Sequence, residues 1–261
     1  MMFKEIWDYR QMIISLVRKD LRGRYKGSVL GFLWTFLNPL FQILVYSFVF
    51  AVILPTGMDK YYLFLTVALI PWIFFQASIT GGSTSVLSQK DLVKKIYFPR
   101  EVLPISYVTS CFVNMLLCFI VVFAVVIISG TKILLLGILY LPVIMIIEYI
   151  LALGIAMITS ALTVYFRDME HILSIISMIW MYLTPVVYPK ERYDNLPPKI
   201  KFVMTHINPM TPVINAYRTI LYESKLPDMS TLLEALGLGV FFLVVGFFVF
   251  GKLKKHFAEE L

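Results

Sequence analysis

The chain has 261 residues, 59% hydrophobic and only 15% charged, with a formal net charge of +7 and a mean hydropathy of +0.83. A polypeptide this apolar cannot clothe a soluble core in polar surface, which excludes a water-soluble globular domain and predicts an integral membrane protein of all-α fold. Its basic residues sit beside apolar runs, so anionic membrane lipids rather than nucleic acid are the expected partner.

Residues 1–28 read as an amphipathic interface helix. Over 1–25, Phe3, Ile6, Trp7, Ile13, Ile14, Val17 and Leu21 recur at helical spacing, opposite a stripe of Lys4, Asp8, Gln11, Ser15, Arg18 and Arg22. Such a helix lies in the membrane interface. Gly23 and Gly27 allow a turn, and the chain is expected to enter the bilayer near Leu30. These first residues lack an uninterrupted apolar core before a cleavage site, so no cleavable signal is expected.

A helix needs roughly 20 apolar residues to cross a bilayer. Six stretches predict spans: about 29–54, 61–88, 102–129, 133–164, 170–188 and 230–251. Pro39, after Asn38, would kink the first span, Pro71 the second and Pro142 the fourth. The polar run Ser78-Ile-Thr-Gly-Gly-Ser-Thr-Ser85 is too small and polar to face lipid; it either packs closely against helices or lines a path. Between the second and third spans, 89–97 can form a short helix along the membrane surface, ended at Phe98-Pro99. It is either a solvated loop or a docking helix for a cytoplasmic partner. The segment 189–229 starts helices at Pro197-Pro198 and at Asn208-Pro209 with Thr211-Pro212, predicting two short amphipathic helices, near 197–205 and 210–225, that lie on or re-enter the outer leaflet.

Lys and Arg counts orient the chain. With the N-terminus inside, inner segments hold seven (1–31), four (88–101), one (Arg167) and three (252–255), against single lysines, Lys60 and Lys132, in the short outer turns. The long segment 189–229 holds six but counts less. Both termini are therefore expected in the cytoplasm and the chain in the cytoplasmic (inner) membrane.

Several residue groups carry candidate chemistry. Gly246-Phe-Phe-Val-Phe-Gly251-Lys252-Leu253 has the frame of a phosphate-binding loop. Leu253 replaces the required Ser or Thr, no soluble strand precedes it, and Phe247 to Phe250 are expected in lipid, so it is rejected. Glu148 falls inside the fourth span, where a charge is expensive. A structural hydrogen bond is favoured over a proton or substrate role, with Asn114 in the third span as candidate partner. Cys111 and Cys118 are expected to pack as small apolar groups. Trp34, Phe36, Tyr46, Trp72, Phe74, Phe75, Trp180 and Tyr182 either pack or line a path on which sugar faces slide. A membrane-embedded transferase would need clustered acids or histidines at an inner face, and Arg167, Asp168, Glu170 and His171 read instead as a charged turn.

Arg24-Tyr-Lys-Gly-Ser-Val-Leu-Gly31 with Leu33-Trp34 and Asn38-Pro39, Phe98-Pro-Arg-Glu-Val-Leu-Pro104, Tyr165-Phe-Arg-Asp168, and Asn208-Pro209 followed by Tyr217-Arg218 resemble the membrane subunits of ABC-2-type polysaccharide exporters. The likeness spans nearly the whole chain, as one transmembrane domain over 1–261, and is greatest to the O-antigen and teichoic-acid branch. It implies a homodimer joined to two copies of a cytoplasmic ATPase, which hold the ATP and magnesium, this chain carrying no cofactor. It implies export of a lipid-linked polysaccharide, with a drug or small lipid as the alternative cargo. Under the resemblance, Arg18, Arg22, Arg24 and Lys26 would meet the lipid diphosphate. Lys90, Asp91, Lys94, Lys95 and Tyr97 would touch the ATPase from a coupling helix at 89–97, and 189–229 would form outer gate helices.

Overall fold

The computed structural model describes residues 2–24, 26–53 and 57–261, leaving aside the side chains of Met2, Phe3 and Ala258. Tyr25 of the first motif and Leu54, the expected end of the first span, lie outside the described residues. The fold is all-α, with no strand among the described residues.

Two helices, α1 (Met2–Asp8) and α2 (Arg10–Gly23), occupy the place of the single expected interface helix, broken at Tyr9 with φ −91° and ψ 14°. After α2 the chain turns through Gly27, at φ +84°, and Gly31, at φ +47°, backbone positions that favour glycine. It then enters an apolar stretch, Gly31–Ile53, built from a short 3₁₀ turn, α3 (Trp34–Phe48) and one π turn.

Four more helices are long and apolar enough to span: α4 (Tyr61–Ser83), α6 (Val102–Ser129), α7 (Leu135–Tyr165) and α11 (Met229–Leu253). α4 is apolar all round and buried almost throughout, the mark of a helix enclosed by others. α6 and α7 pack on it, and α11 lies along α7. That last contact is unusually close. A methyl built on Gly246 would stand 2.3 Å from the Gly154 carbonyl oxygen, and one on Gly154 2.5 Å from the Leu243 nitrogen. Small residues at such crossings let two backbones touch, since lipid supplies no hydrophobic force between helices.

Three expectations change. The fifth stretch is not a full-length span: α8 (Met169–Leu183) has 15 residues, because Pro185 forces Thr184 into extended backbone (φ −102°, ψ 141°) and stops the helix. The second span ends at Ser83, not at 88. Phe247 to Phe250 do not all face lipid: Phe248 is exposed, but Phe250 is fully buried against Phe257. Within the run 78–85, Ser78 and Gly82 pack tightly, Gly82 against Ala156, while Ser85 faces a cavity.

One end of the bundle gathers α2, the short α5 (Lys90–Lys95), the starts of α6 and α8 and the end of α11. This basic end is opposed by one built from 57–64, 183–209 and α10 (Met210–Leu221), preceded by α9 (Pro198–Phe202) and the π turn Val203–Ile207, so the two expected outer helices are present.

Candidate functional site

At the basic end, α2 lies on α6, held there by the bonds that an ion pair on α2 makes to Ser110. Asp20 and Arg24, one helical turn apart, pair at 2.9 Å, the spacing at which opposite charges on a helix meet. Arg24 Nη2 donates to Ser110 Oγ at 3.1 Å and contacts Cys111 Sγ at 3.2 Å, while Ser110 donates to Asp20. The guanidinium also lies 5.9 Å from the Tyr107 ring centre. Arg24 is therefore built into the helix contact, whereas Arg18, Arg22 and Lys26 are exposed. Beside this pair opens a cavity of about 410 Å³, lined by Lys19, Asp20, Arg24, Ser85, Gln89 and Tyr107 among others. Lys19, Asp20 and Tyr107 are absent from the sequence-derived site. The i,i+4 spacing of Asp20 and Arg24 was the available signal.

Next to it, Val93 and Phe98 bury themselves and present the residues between as a raised surface. Lys90, Asp91, Lys94, Lys95 and Ile96 are exposed, and Tyr97 is 96% exposed. The residues after it do different work. Arg100 donates to the Lys254 carbonyl, Tyr165 OH donates to the Leu253 carbonyl at 2.9 Å, and Lys254 pairs with buried Glu101. Side chains of two motifs thus cap the free carbonyls at the end of α11. Arg167, Asp168, Glu170 and His171 are exposed in and just after the α7–α8 turn.

At the opposite end, Asn208 staples α8 to α10. Its Nδ2 donates to the Leu183 carbonyl at 3.0 Å and to Thr184 Oγ1 at 2.9 Å, and its Oδ1 accepts from Trp180 Nε1 at 2.8 Å and from the Met210 amide at 3.1 Å. Arg218 is buried, donates to the Val186 carbonyl at 2.6 Å and stands 3.6 Å from the Phe64 ring centre. Burial pulls its guanidinium down to about 9, which leaves it charged at neutral pH.

Glu148 is fully buried and accepts a hydrogen bond from Tyr217 OH at 2.8 Å. The expected partner, Asn114, is elsewhere: its Nδ2 faces Cys118 at 3.9 Å. The reason is topological. α10 folds back against α7 from the far end, a placement that span-by-span reading does not deliver. Glu148→Gln preserves an acceptor for Tyr217, and its thermal unfolding temperature is expected to stay within a few degrees of the parent. Glu148→Leu strands the phenol and is expected to cost about 1–3 kcal/mol, read as a lower unfolding temperature in detergent. Equal stability of the two variants would exclude a structural hydrogen bond.

Of the aromatics, Trp72, Phe74 and Phe75 are buried within one chain, with Phe75 edge-on to Trp180 at 5.1 Å and Phe74 to Phe112 at 5.7 Å. They pack the core and border no path inside a single chain. Trp34, Phe36, Tyr46 and Trp180 are half-buried and Tyr182 is exposed. Cys111 and Cys118 are free, buried thiols.

Residues 11–222 match the family described as ABC-2 type transporter. The chain is 34% identical to the O-antigen export system permease protein RfbA of Myxococcus xanthus, over 99% of this chain and 98% of that one. It is 33% identical to the O-antigen export system permease protein RfbA of Klebsiella pneumoniae, over 96% and 95%.

Proposed function

This chain belongs to the ABC-2 type transporter family, and on that premise we propose that it is the transmembrane subunit of an ATP-driven exporter of lipid-linked O-antigen polysaccharide across the cytoplasmic membrane. The observation that carries this reading is the end-to-end similarity to permeases named for O-antigen export. A member of this family, similar throughout to export permeases, is a transport component, and ATP and magnesium belong to a partner ATPase bound in two copies.

In this reading the basic end is cytoplasmic and both termini are inside. The exposed surface Lys90, Asp91, Lys94, Lys95 and Tyr97 meets the ATPase, and the caps from Arg100 and Tyr165 make that surface continuous with the end of α11. Two copies of the chain enclose the glycan path. The apolar faces of α3 and α8, with Phe41, Leu44 and Phe48 on one and Ile172, Ile175 and Ile179 on the other, support such pairing. Half-buried Trp34, Phe36 and Tyr46 and exposed Tyr182 then border that path, while Arg18, Arg22 and Lys26 draw the anionic lipid headgroup to the interface helices. Asn208 and Arg218 hold the outer segment over α8, as the outer gate.

The test is genetic and biochemical. Deleting the chain is expected to remove O-antigen from the cell surface and accumulate lipid-linked glycan inside. Purified chain should hydrolyse ATP only with its ATPase. Surface O-antigen at parental levels in the deletion strain would sink the proposal.

A further inference from the structure

Among the described residues Arg218 is the one Lys or Arg that the fold buries, at 4% exposure, and it stands without a carboxylate. None of the ion pairs among the described residues includes it. Its guanidinium is met by dipoles instead: Nη2 donates to the Val186 carbonyl at 2.6 Å, Nη1 makes a long contact of 3.5 Å to the Tyr188 carbonyl, and the Phe64 ring centre lies 3.6 Å away. Nε has no hydrogen-bond partner. Carbonyls and a ring face offset part of the cost of desolvating a cation, but they bring no net negative charge. Beside it opens a small cavity of about 30 Å³, lined by Arg218, Lys190, Asn215, Thr219, Glu191 and Glu223 among others. Such a space admits one particle of roughly water's size. Its two acids do not reach the guanidinium: both are exposed, and Glu223 leans toward Lys225 at 3.7 Å. Lys190 is exposed at the rim, outside any ion pair, and the half-buried Asn215 side chain makes no hydrogen bond among the described residues.

We infer that this cavity binds a single compact inorganic anion of the size and charge of chloride. Arg218 Nε and the Asn215 amide nitrogen donate to it from the walls, and the Lys190 ammonium closes over it from the rim. The Thr219 hydroxyl is committed to the Asn215 carbonyl at 3.0 Å and supplies wall, not a bond. A phosphate group or a sugar ring exceeds the space, which separates this site from any lipid diphosphate or glycan. Glu191 and Glu223 at the mouth keep the binding weak and reversible, since like charges repel. The ion joins α10 to the loop that carries Lys190, a loop whose preceding carbonyls Arg218 already holds, and so pins the outer segment. A ligand of the folded state alone stabilises it by mass action. Nothing in this inference depends on what the chain exports.

The full-length chain in an uncharged detergent is heated while sodium gluconate is replaced stepwise by sodium chloride at constant ionic strength, gluconate being too large for the cavity. The unfolding temperature is expected to rise by a few degrees and then saturate, as binding to the folded state requires. Asn215→Leu removes a donor and fills space, and is expected to raise the chloride concentration at half-effect about tenfold or more. Lys190→Gln is expected to raise it a few-fold, and Glu191→Gln, which lifts the opposing charge, to lower it a few-fold. Lys199→Gln, equally exposed on the outer segment but away from the cavity, should shift it less than about twofold. A response in the unmodified chain that is absent, or that grows without saturating, overturns the site. So does a parental midpoint in Asn215→Leu, or an equal shift in Lys190→Gln and Lys199→Gln, which would reduce the effect to surface charge. A chain that answers chloride only after Glu191→Gln also overturns it, by showing that Glu191 itself closes on Arg218.

Discussion

Gly154→Ala and Gly246→Ala are each expected to abolish accumulation of folded chain in the membrane, while Gly237→Ala and Gly251→Ala leave it unchanged. The added methyl at Gly154 would lie 2.5 Å from backbone atoms of Phe242 and Leu243, and at Gly246 2.3 Å from the Gly154 oxygen. Overpacking ordinarily costs about 1–3 kcal/mol because side chains move aside. Here the atoms in the way are backbone, no rotamer relieves them, and the helices must separate along their length. The cost then falls at or above about 3 kcal/mol, a large part of the roughly 5–15 kcal/mol that holds a domain folded. Gly237 and Gly251, on the same helix, have open space where a methyl would go. Size-exclusion profiles in detergent after stepwise heating read the difference. Equal melting of all four variants would show that the two helices do not cross where the glycines meet.

Reversing Lys90, Lys94 and Lys95 together to Glu is expected to lower affinity for the ATPase at least about a hundredfold and stop export, while the chain inserts and folds normally. The three side chains are exposed, and Val93 and Phe98, which seat the segment, are untouched. Co-purification from cells expressing both subunits at matched levels reads the first effect, and surface glycan the second. Parental values of both would return 89–97 to a solvated loop.

Much of this architecture is legible in residue order. Continuous apolar runs locate α3, α4, α6, α7 and α11, because each must satisfy its own backbone in lipid. The signals Asn208-Pro209 and Thr211-Pro212 locate α10. Its destination is not legible: α10 packs on α4 and α7 and carries Tyr217 to Glu148, a partnership set by tertiary folding that leaves no local periodicity. Arg24 shows the same limit. Counted with Arg18, Arg22 and Lys26 it is one more interface charge, yet Ser110 and Cys111, some 86 residues away in sequence, turn it into part of a helix contact. The burial of Trp72, Phe74 and Phe75 within one chain was illegible for a related reason, since aromatic content cannot tell an enclosed helix from one that borders a channel.

The brevity of α8 bears on the bilayer itself. Fifteen residues at 1.5 Å each rise roughly 22 Å, against a hydrocarbon thickness of roughly 30 Å. Pairing with a second copy answers part of that shortfall, and on any side left to lipid a local dimple in the leaflets answers the rest, at a fraction of a kcal/mol for each ångström. Such a dimple shortens the oily stretch that any polar chain moving alongside has to cross. An exporter of sugars would gain from a membrane made thin on its own flank.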